Sequence, residues 1–186
     1  MLKCAAILAG GFGTRLRSVV NDRPKVMALV AGRPFLTHLL DQLSDSGIER
    51  VVLCTGYMAE LIQQELGNSY KTMELVYSVE EEPLGTGGAL RNAAEHFSGD
   101  QLLVLNGDSY CHCVLSDYIS LQLKSCLLAG MVLAKVDDVS RFGAVQINDQ
   151  SRVESFIEKG VQNGSGLINA GIYLSAPYGT NYGDYA

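Results

Sequence analysis

The 186-residue chain has no apolar run approaching the ~20 residues of a membrane-spanning helix. It has no basic excess either. Its 14 Lys and Arg face 20 Asp and Glu, and no basic stripe is present to neutralise a nucleic-acid backbone. The five cysteines are odd in number and lack the dense spacing of a disulfide scaffold. Cys4, Cys54 and Cys126 fall in apolar runs, where cysteine acts as a small buried hydrophobe. Cys111-His112-Cys113 has no second Cys/His pair nearby to complete a zinc site, so a structural role is expected there. The short N-terminal apolar run is broken by glycines and Arg15 before a signal-peptide core can form. No linker, repeat or low-complexity tract divides the chain. The expectation is one soluble cytoplasmic domain, with neither membrane nor nucleic acid as partner and with homo-oligomerisation left open.

Two familiar phosphate-loop signatures are also missing. A dinucleotide-binding G-x-G-x-x-G starting at Gly11 would need glycine at position 16, which is Leu16. A P-loop needs Gly-Lys-Ser/Thr, and the chain has no Gly-Lys pair.

What is present is Leu8-Ala9-Gly10-Gly11-Phe12-Gly13-Thr14-Arg15-Leu16, followed by Arg23-Pro24-Lys25. It comes directly after the apolar run Cys4–Leu8, which reads as a buried strand. Glycines at 10, 11 and 13 let the backbone turn sharply and bring several amides close to an anion. Arg15 and Lys25 add charge, so strand, turn and cations together describe a polyphosphate site.

Short apolar runs near 3–8, 50–54, 73–78 and 101–105 read as strands covered on both faces. Between them, Leu36, Leu39, Leu40 and Leu43 make one helical stripe, terminated by Gly47. Met58, Leu61, Ile62 and Leu66 make a second stripe. Ala89, Leu90, Ala93, Ala94 and Phe97 make a third, in a helix opening at Thr86. A helix near 116–124 precedes strands near 129–136, 143–147, 152–158 and 169–174, some of them antiparallel. This order predicts an α/β fold, a three-layer α/β/α sandwich on a mostly parallel mixed sheet. Ligands of such sheets sit beyond the carboxyl ends of the strands, where Gly10–Gly13, Gly85–Gly88 and Asp108 should gather.

The glycine-rich stretch with its downstream Pro-Lys resembles the sugar-1-phosphate nucleotidyltransferases, the nucleotide-sugar pyrophosphorylases. Glu82-Pro83-Leu84-Gly85-Thr86-Gly87-Gly88-Ala89 looks like the family's second nucleotide loop, and Leu105-Asn106-Gly107-Asp108 like its metal-binding strand end. Phe142–Val145, Phe156–Lys159 and Asn169–Tyr173 look like its sugar-contacting segments. The resemblance implies a Rossmann-like nucleotide-diphospho-sugar transferase fold over 1–174, with 175–186 as a short tail. The Gly-Thr-Gly-Gly form of the second loop and Asn-Gly-Asp-Ser-Tyr most resemble the branch making GDP-D-glycero-α-D-manno-heptose.

That resemblance implies attack by a sugar 1-phosphate on the α-phosphorus of a nucleoside triphosphate, GTP favoured, with release of pyrophosphate. Leu8, Ala9, Gly10, Gly11, Gly13 and Thr14 would line the triphosphate. Arg15 would clamp its β- and γ-phosphates as a bidentate fork, and Lys25 would bridge the α-phosphate and the attacking phosphate. Asp108 would hold Mg²⁺ against phosphate oxygens. Gly85, Thr86, Gly87 and Gly88 would approach base and ribose, with Asn106 as an auxiliary contact. On the sugar side, Glu158 and Asn169 would bind hydroxyls, Lys159 the sugar phosphate, and Gly143 would leave room for the ring.

Two departures stand out. Gly160 follows Glu158-Lys159 where the family usually has proline. A second metal-binding Asp is expected from an Asp-x-Gly-Thr stretch, and Pro177-Tyr178-Gly179-Thr180 has proline at that place. Three other readings stay open: a GDP-mannose pyrophosphorylase, a uridylyl- or thymidylyltransferase acting on a hexose 1-phosphate, and a catalytically weak nucleotide-binding regulatory homologue.

Overall fold

The computed structural model describes residues 2–11, 23–97, 99, 101–125 and 127–175. Its first half runs β1 (Cys4–Leu8), β2 (Leu29–Val30), β3 (Arg33–Pro34), α1 (Phe35–Asp45), β4 (Arg50–Thr55), α2 (Ala59–Leu66), β5 (Ser69–Tyr70) and β6 (Met73–Val79). There follow α3 (Gly85–Asn92), β7 (Leu102–Asn106), α4 (Leu115–Ser125), β8 (Ala129–Val136), β9 (Ala144–Ile147), β10 (Val153–Ile157) and β11 (Gly166–Ser175).

Seven strands form one sheet in the order β5-β6-β4-β1-β7-β11-β8. The β6-β4-β1-β7 core is parallel, while β5, β11 and β8 each pair antiparallel with the strand next to them. Alternation along the central strand assigns its side chains to two faces. Ala5 and Ile7 of β1 enter one core cluster together with Leu36, Leu39, Leu40 and Leu43 of α1, Ile62 of α2, and Leu115 and Ile119 of α4. Cys4 and Ala6 face the other way, Cys4 joining Ala89 and Ala93 at α3. Helices therefore cover both faces, and the expected three layers are present.

Local signals account for the element ends. After α1, the Gly47 amide donates to Ser44 and the Ile48 amide to Leu43, with Gly47 at φ +78°. That is the paired bonding of a Schellman cap, which needs a left-handed residue at this position. The third apolar stripe is not one helix. Helix α3 opens at Gly85 rather than Thr86 and stops at Asn92, and a separate 3-10 turn covers Ala94–His96. Asn92 ties this end to the sheet, donating to the Ser78 hydroxyl at 3.0 Å and to the Val79 carbonyl.

Strand β11 runs over the end of its neighbour. Its residues 172–175 pair with Leu105–Leu102 of β7, while residues 166–169 pair only with Val136–Leu133 of β8. The first half of β11 and the last half of β8 thus project as a ribbon past the carboxyl end of β7. The two-stranded β9–β10 sheet packs against β11 through β9. A register shift between Asn169 and Tyr173 marks where the ribbon begins.

Candidate active site

Register brings the carboxyl ends of the parallel strands level: Leu8 pairs with both Cys54 and Asn106, and Thr55 with Val79. Each ladder then continues one bond further. The Ala9 amide donates to Cys54 O, the Glu80 amide to Thr55 O, and the Gly107 amide to Leu8 O, at 2.8, 2.8 and 2.9 Å. The Ala9 amide is therefore committed to the sheet.

Gly107 is forced by this crossing of backbones, and Gly56 is tightly placed in it. A Cβ on Gly107 would stand 2.6 Å from Leu8 O, and one on Gly56 would stand 3.2 Å from Gly10 O. Gly10, Gly56 and Gly107 thus lay a floor of bare backbone across three adjacent strand ends. Gly11, beside them, is exposed, with open space where a side chain would point. Gly13, Thr14 and Arg15 lie outside the described residues.

Lys25 reaches this floor from a 3-10 turn, Lys25–Met27, whose Val26 and Met27 are buried. Val26 packs beneath Gly107, its Cγ1 3.2 Å from where a Cβ would be. The anchored turn sets Lys25 Nζ 2.7 Å from Asp108 Oδ2. The Ser109 hydroxyl donates to the other carboxylate oxygen at 3.2 Å. Partial burial pushes the Asp108 carboxyl up, but the Lys25 hydrogen bond and charge, with Ser109 and its own backbone amide, outweigh it. The carboxyl lies below its ordinary range and stays ionised at neutral pH.

Glu80, the first residue past β6, was not singled out by the sequence. A Cβ on Gly10 would meet its Oε1 at 3.0 Å, and its Oε2 accepts the Leu84 amide at 3.2 Å. Burial, with this carboxylate nearby, pushes the Cys54 thiol up to about 12. The signal that could have found Glu80 is positional, since it follows a parallel strand just as Ala9 and Gly107 do. Gly85, Thr86 and Gly87 are exposed at the start of α3, whereas Gly88 is needed by the helix itself, with Leu84 Cβ 2.7 Å from its absent Cβ.

Asn106 lies against the ribbon: a Cβ on Gly171 would meet its Cβ at 3.0 Å. Asn169 closes the β11 bulge. Its Oδ1 accepts the Gly171 amide at 2.9 Å, and its Nδ2 donates to the Tyr173 hydroxyl at 2.7 Å. One amide hydrogen and one lone pair remain for a ligand. Glu158 and Lys159 are exposed just past β10. Gly143 has φ +81°, and a Cβ there would lie 2.7 Å from Ile157 O, so the junction with β10 requires a glycine at this position.

Cys111 and Cys113 pack against the core, and Gln42 donates to the carbonyls of both at 2.9 and 3.0 Å. Burial and the Cys111 thiol push Cys113 up to about 11, so its thiol is protonated at neutral pH. Among the described residues no group of three or more His, Cys, Asp and Glu could hold a metal. No helix among them is long and apolar enough to cross a membrane.

A glycine floor thus lies at the carboxyl edge of a parallel sheet, with an ionised carboxylate and a lysine on its rim, the edge at which open α/β sheets bind their ligands. The nucleotidyl transferase family profile matches residues 4–178, and the chain belongs to that family. It is 40% identical over 170 residues to a D-glycero-alpha-D-manno-heptose 1-phosphate guanylyltransferase of Campylobacter jejuni, covering 91% of this chain and 74% of that protein. A mannose-1-phosphate guanylyltransferase of Mycobacterium tuberculosis is 37% identical, with 91% of this chain and 48% of that protein covered. The crystal structure of HddC from Yersinia pseudotuberculosis complexed with GMP-PN superposes with a TM-score of 0.83 at 38% identity. The match covers 94% of this chain and 77% of that one.

Proposed function

We propose that this chain transfers a guanylyl group from GTP to D-glycero-α-D-manno-heptose 1-phosphate, giving the GDP-sugar and pyrophosphate. The observation that carries the reading is Lys25 held 2.7 Å from an ionised Asp108 on the rim of the glycine floor. Identity of 40% to a heptose 1-phosphate guanylyltransferase supports the choice of base and sugar.

Both reactants are anions, so the protein lowers the barrier mainly by placing them and by matching their charge. Gly10, Gly11 and Gly13 receive the triphosphate, and Arg15 takes the β- and γ-phosphates. Lys25 sits between the α-phosphate and the attacking phosphate. Its pairing with Asp108 is half-exposed, and such pairs contribute roughly 0.2–1 kcal/mol, so an incoming phosphate displaces it at little cost. Asp108 fits Mg²⁺, being ionised and partly exposed at the edge, because that ion is commonly held by one or two carboxylates plus substrate phosphates. When bound, Mg²⁺ neutralises phosphate charge. Asn169, on the ribbon that overhangs β7, and Glu158, just past β10, receive the sugar hydroxyls, and Lys159 receives the sugar phosphate.

Pyrophosphate release from a panel tests the reading. GTP, UTP, dTTP and ATP are each paired with heptose 1-phosphate, mannose 1-phosphate and glucose 1-phosphate. The heptose pair with GTP is expected to turn over fastest. Faster turnover with mannose 1-phosphate moves the assignment to the other sugar, and no turnover with any pair moves it to a regulatory homologue.

A further inference from the structure

The ammonium and the carboxylate given separate ligands above are each other's partner in this structure. Lys25 Nζ donates to Asp108 Oδ2 at 2.7 Å, and the Ser109 hydroxyl donates to Oδ1 at 3.2 Å, so both carboxylate oxygens are engaged within the chain. The two backbones are fixed independently. Val26 and Met27 are buried beside Lys25, and the Met27 amide closes the turn on Pro24 O at 2.9 Å. The Gly107 amide, next to Asp108, is bonded to Leu8 O at 2.9 Å. Rearrangement at this pair is therefore confined to the side chains, and the flexible four-carbon stem of lysine gives Lys25 the wider reach.

Two cations drawn to one carboxylate repel each other at short range, so Lys25 opposes a divalent ion at Asp108. The pair is partly exposed and contributes little by itself, so a stronger anion can draw the ammonium away. A triphosphate is such an anion. We propose that Lys25 is an exchangeable counter-ion: it keeps divalent ions off Asp108 in the free protein and transfers to phosphate when nucleotide binds, which opens the carboxylate to Mg²⁺. Metal and nucleotide then favour each other's binding, and the coupling is the same in both directions. The inference rests on the roles given to Lys25 and Asp108 in the proposed function and adds an order of loading to them.

Titration of the whole chain with Mn²⁺ as the probe, in the absence of nucleotide, tests it through the paramagnetic resonance signal of the free ion. Lys25→Met should bind Mn²⁺ about three- to tenfold more tightly than the unsubstituted chain, the scale set by one exposed pair and one nearby like charge. Lys25→Arg keeps the charge and should bind as weakly as the unsubstituted chain. Asp108→Asn, added to Lys25→Met, should remove the gain. With a chelator present, GTP should move the NMR signal of the Lys25 ε-methylene, identified by its loss in Lys25→Met. A signal that stays in place, or a gain with Lys25→Arg equal to that with Lys25→Met, would overturn the exchange. If Lys25→Met binds Mn²⁺ no more tightly, while Asp108→Asn weakens binding, the metal role of Asp108 stands and the counter-ion role fails. If Asp108→Asn changes nothing, the ion lies elsewhere and both roles fail. The guanylyl reading is judged separately, by the pyrophosphate panel.

Discussion

Lys25 Nζ and Asp108 Oδ2 lie 2.7 Å apart although 83 residues of chain separate them. The pairing sets the charge state of the carboxylate as well as its position. In Lys25→Gln, the burial that pushes Asp108 up loses its main opponent, so the carboxyl should titrate above its present position. The depressed group is ionised above its folded pKa and loses its charge as pH falls through it. The acid limb of the rate profile should therefore move to higher pH in the variant, and turnover should fall by about two orders of magnitude, as for loss of one charge-stabilising contact. A pH–rate profile measures both. An unmoved limb would separate Asp108 from the activity.

Gly107→Ala should destabilise the chain by roughly 1–3 kcal/mol, the usual cost of overpacking. The added Cβ meets the Leu8 carbonyl at 2.6 Å on one side and Ile7 Cγ2 and Val26 Cγ1 at 3.2 Å on others. One of those neighbours is backbone in the central strand, so it cannot swing aside. A lowered urea midpoint with an unchanged slope is the expected result.

Gly87→Ala should do the opposite to stability. Gly87 lies inside α3 with open space at its Cβ, so alanine should stabilise by about 0.5–1 kcal/mol. If the second glycine segment closes on base and ribose, the same change should weaken GTP binding. Melting temperature up with calorimetric affinity down is the expected combination. Unchanged affinity would place the nucleotide away from α3.

Asp41 anchors the small β2–β3 hairpin and β5 to α1, accepting from Arg33, from Lys71 at 2.7 Å and from the Tyr70 hydroxyl at 3.0 Å. Burial pushes its carboxyl up, but these three donors prevail and hold it at about 2, against an ordinary 3.8. A depressed carboxyl stabilises the fold above the unfolded pKa and loses that contribution as pH falls toward the folded one. Asp41→Asn should therefore cost about 1–2 kcal/mol near neutral pH, with the deficit shrinking below about pH 4. Urea midpoints of both proteins at about pH 7 and about pH 3 measure it. A deficit of constant size would assign the loss to geometry rather than charge.

The parallel strands were legible because burial on both faces leaves short, wholly apolar runs, and β1, β4, β6 and β7 fall within a residue or two of the expected bounds. Gly47 was legible for the same local reason, since a cap needs a left-handed residue. The two-residue strands β2, β3 and β5 have no periodicity to read. The early end of α3 depends on Asn92 reaching Ser78, a contact outside the helix pattern. Asn106, Gly107 and Asp108 could be placed at a strand end. That Gly107 answers to Leu8 and Gly143 to Ile157 follows from register, which a single chain does not display. Glu80 was hidden among Glu80-Glu81-Glu82, an acidic run that reads as a solvated turn until the ends of β4 and β6 are aligned.

The register shift in β11 has a bearing on how such a chain can change over time. Four residues of β11 are tied to β7 and share its constraints, while the four before the shift answer to β8 alone. Drift in the overhanging ribbon therefore leaves the pairing of Leu8 with Asn106 and the Gly107 amide bond to Leu8 outside its reach. On the function proposed above, the mould for one reactant can be recast while that for the other is inherited unaltered, and a lineage with this architecture can acquire a new sugar without relearning how to hold a triphosphate.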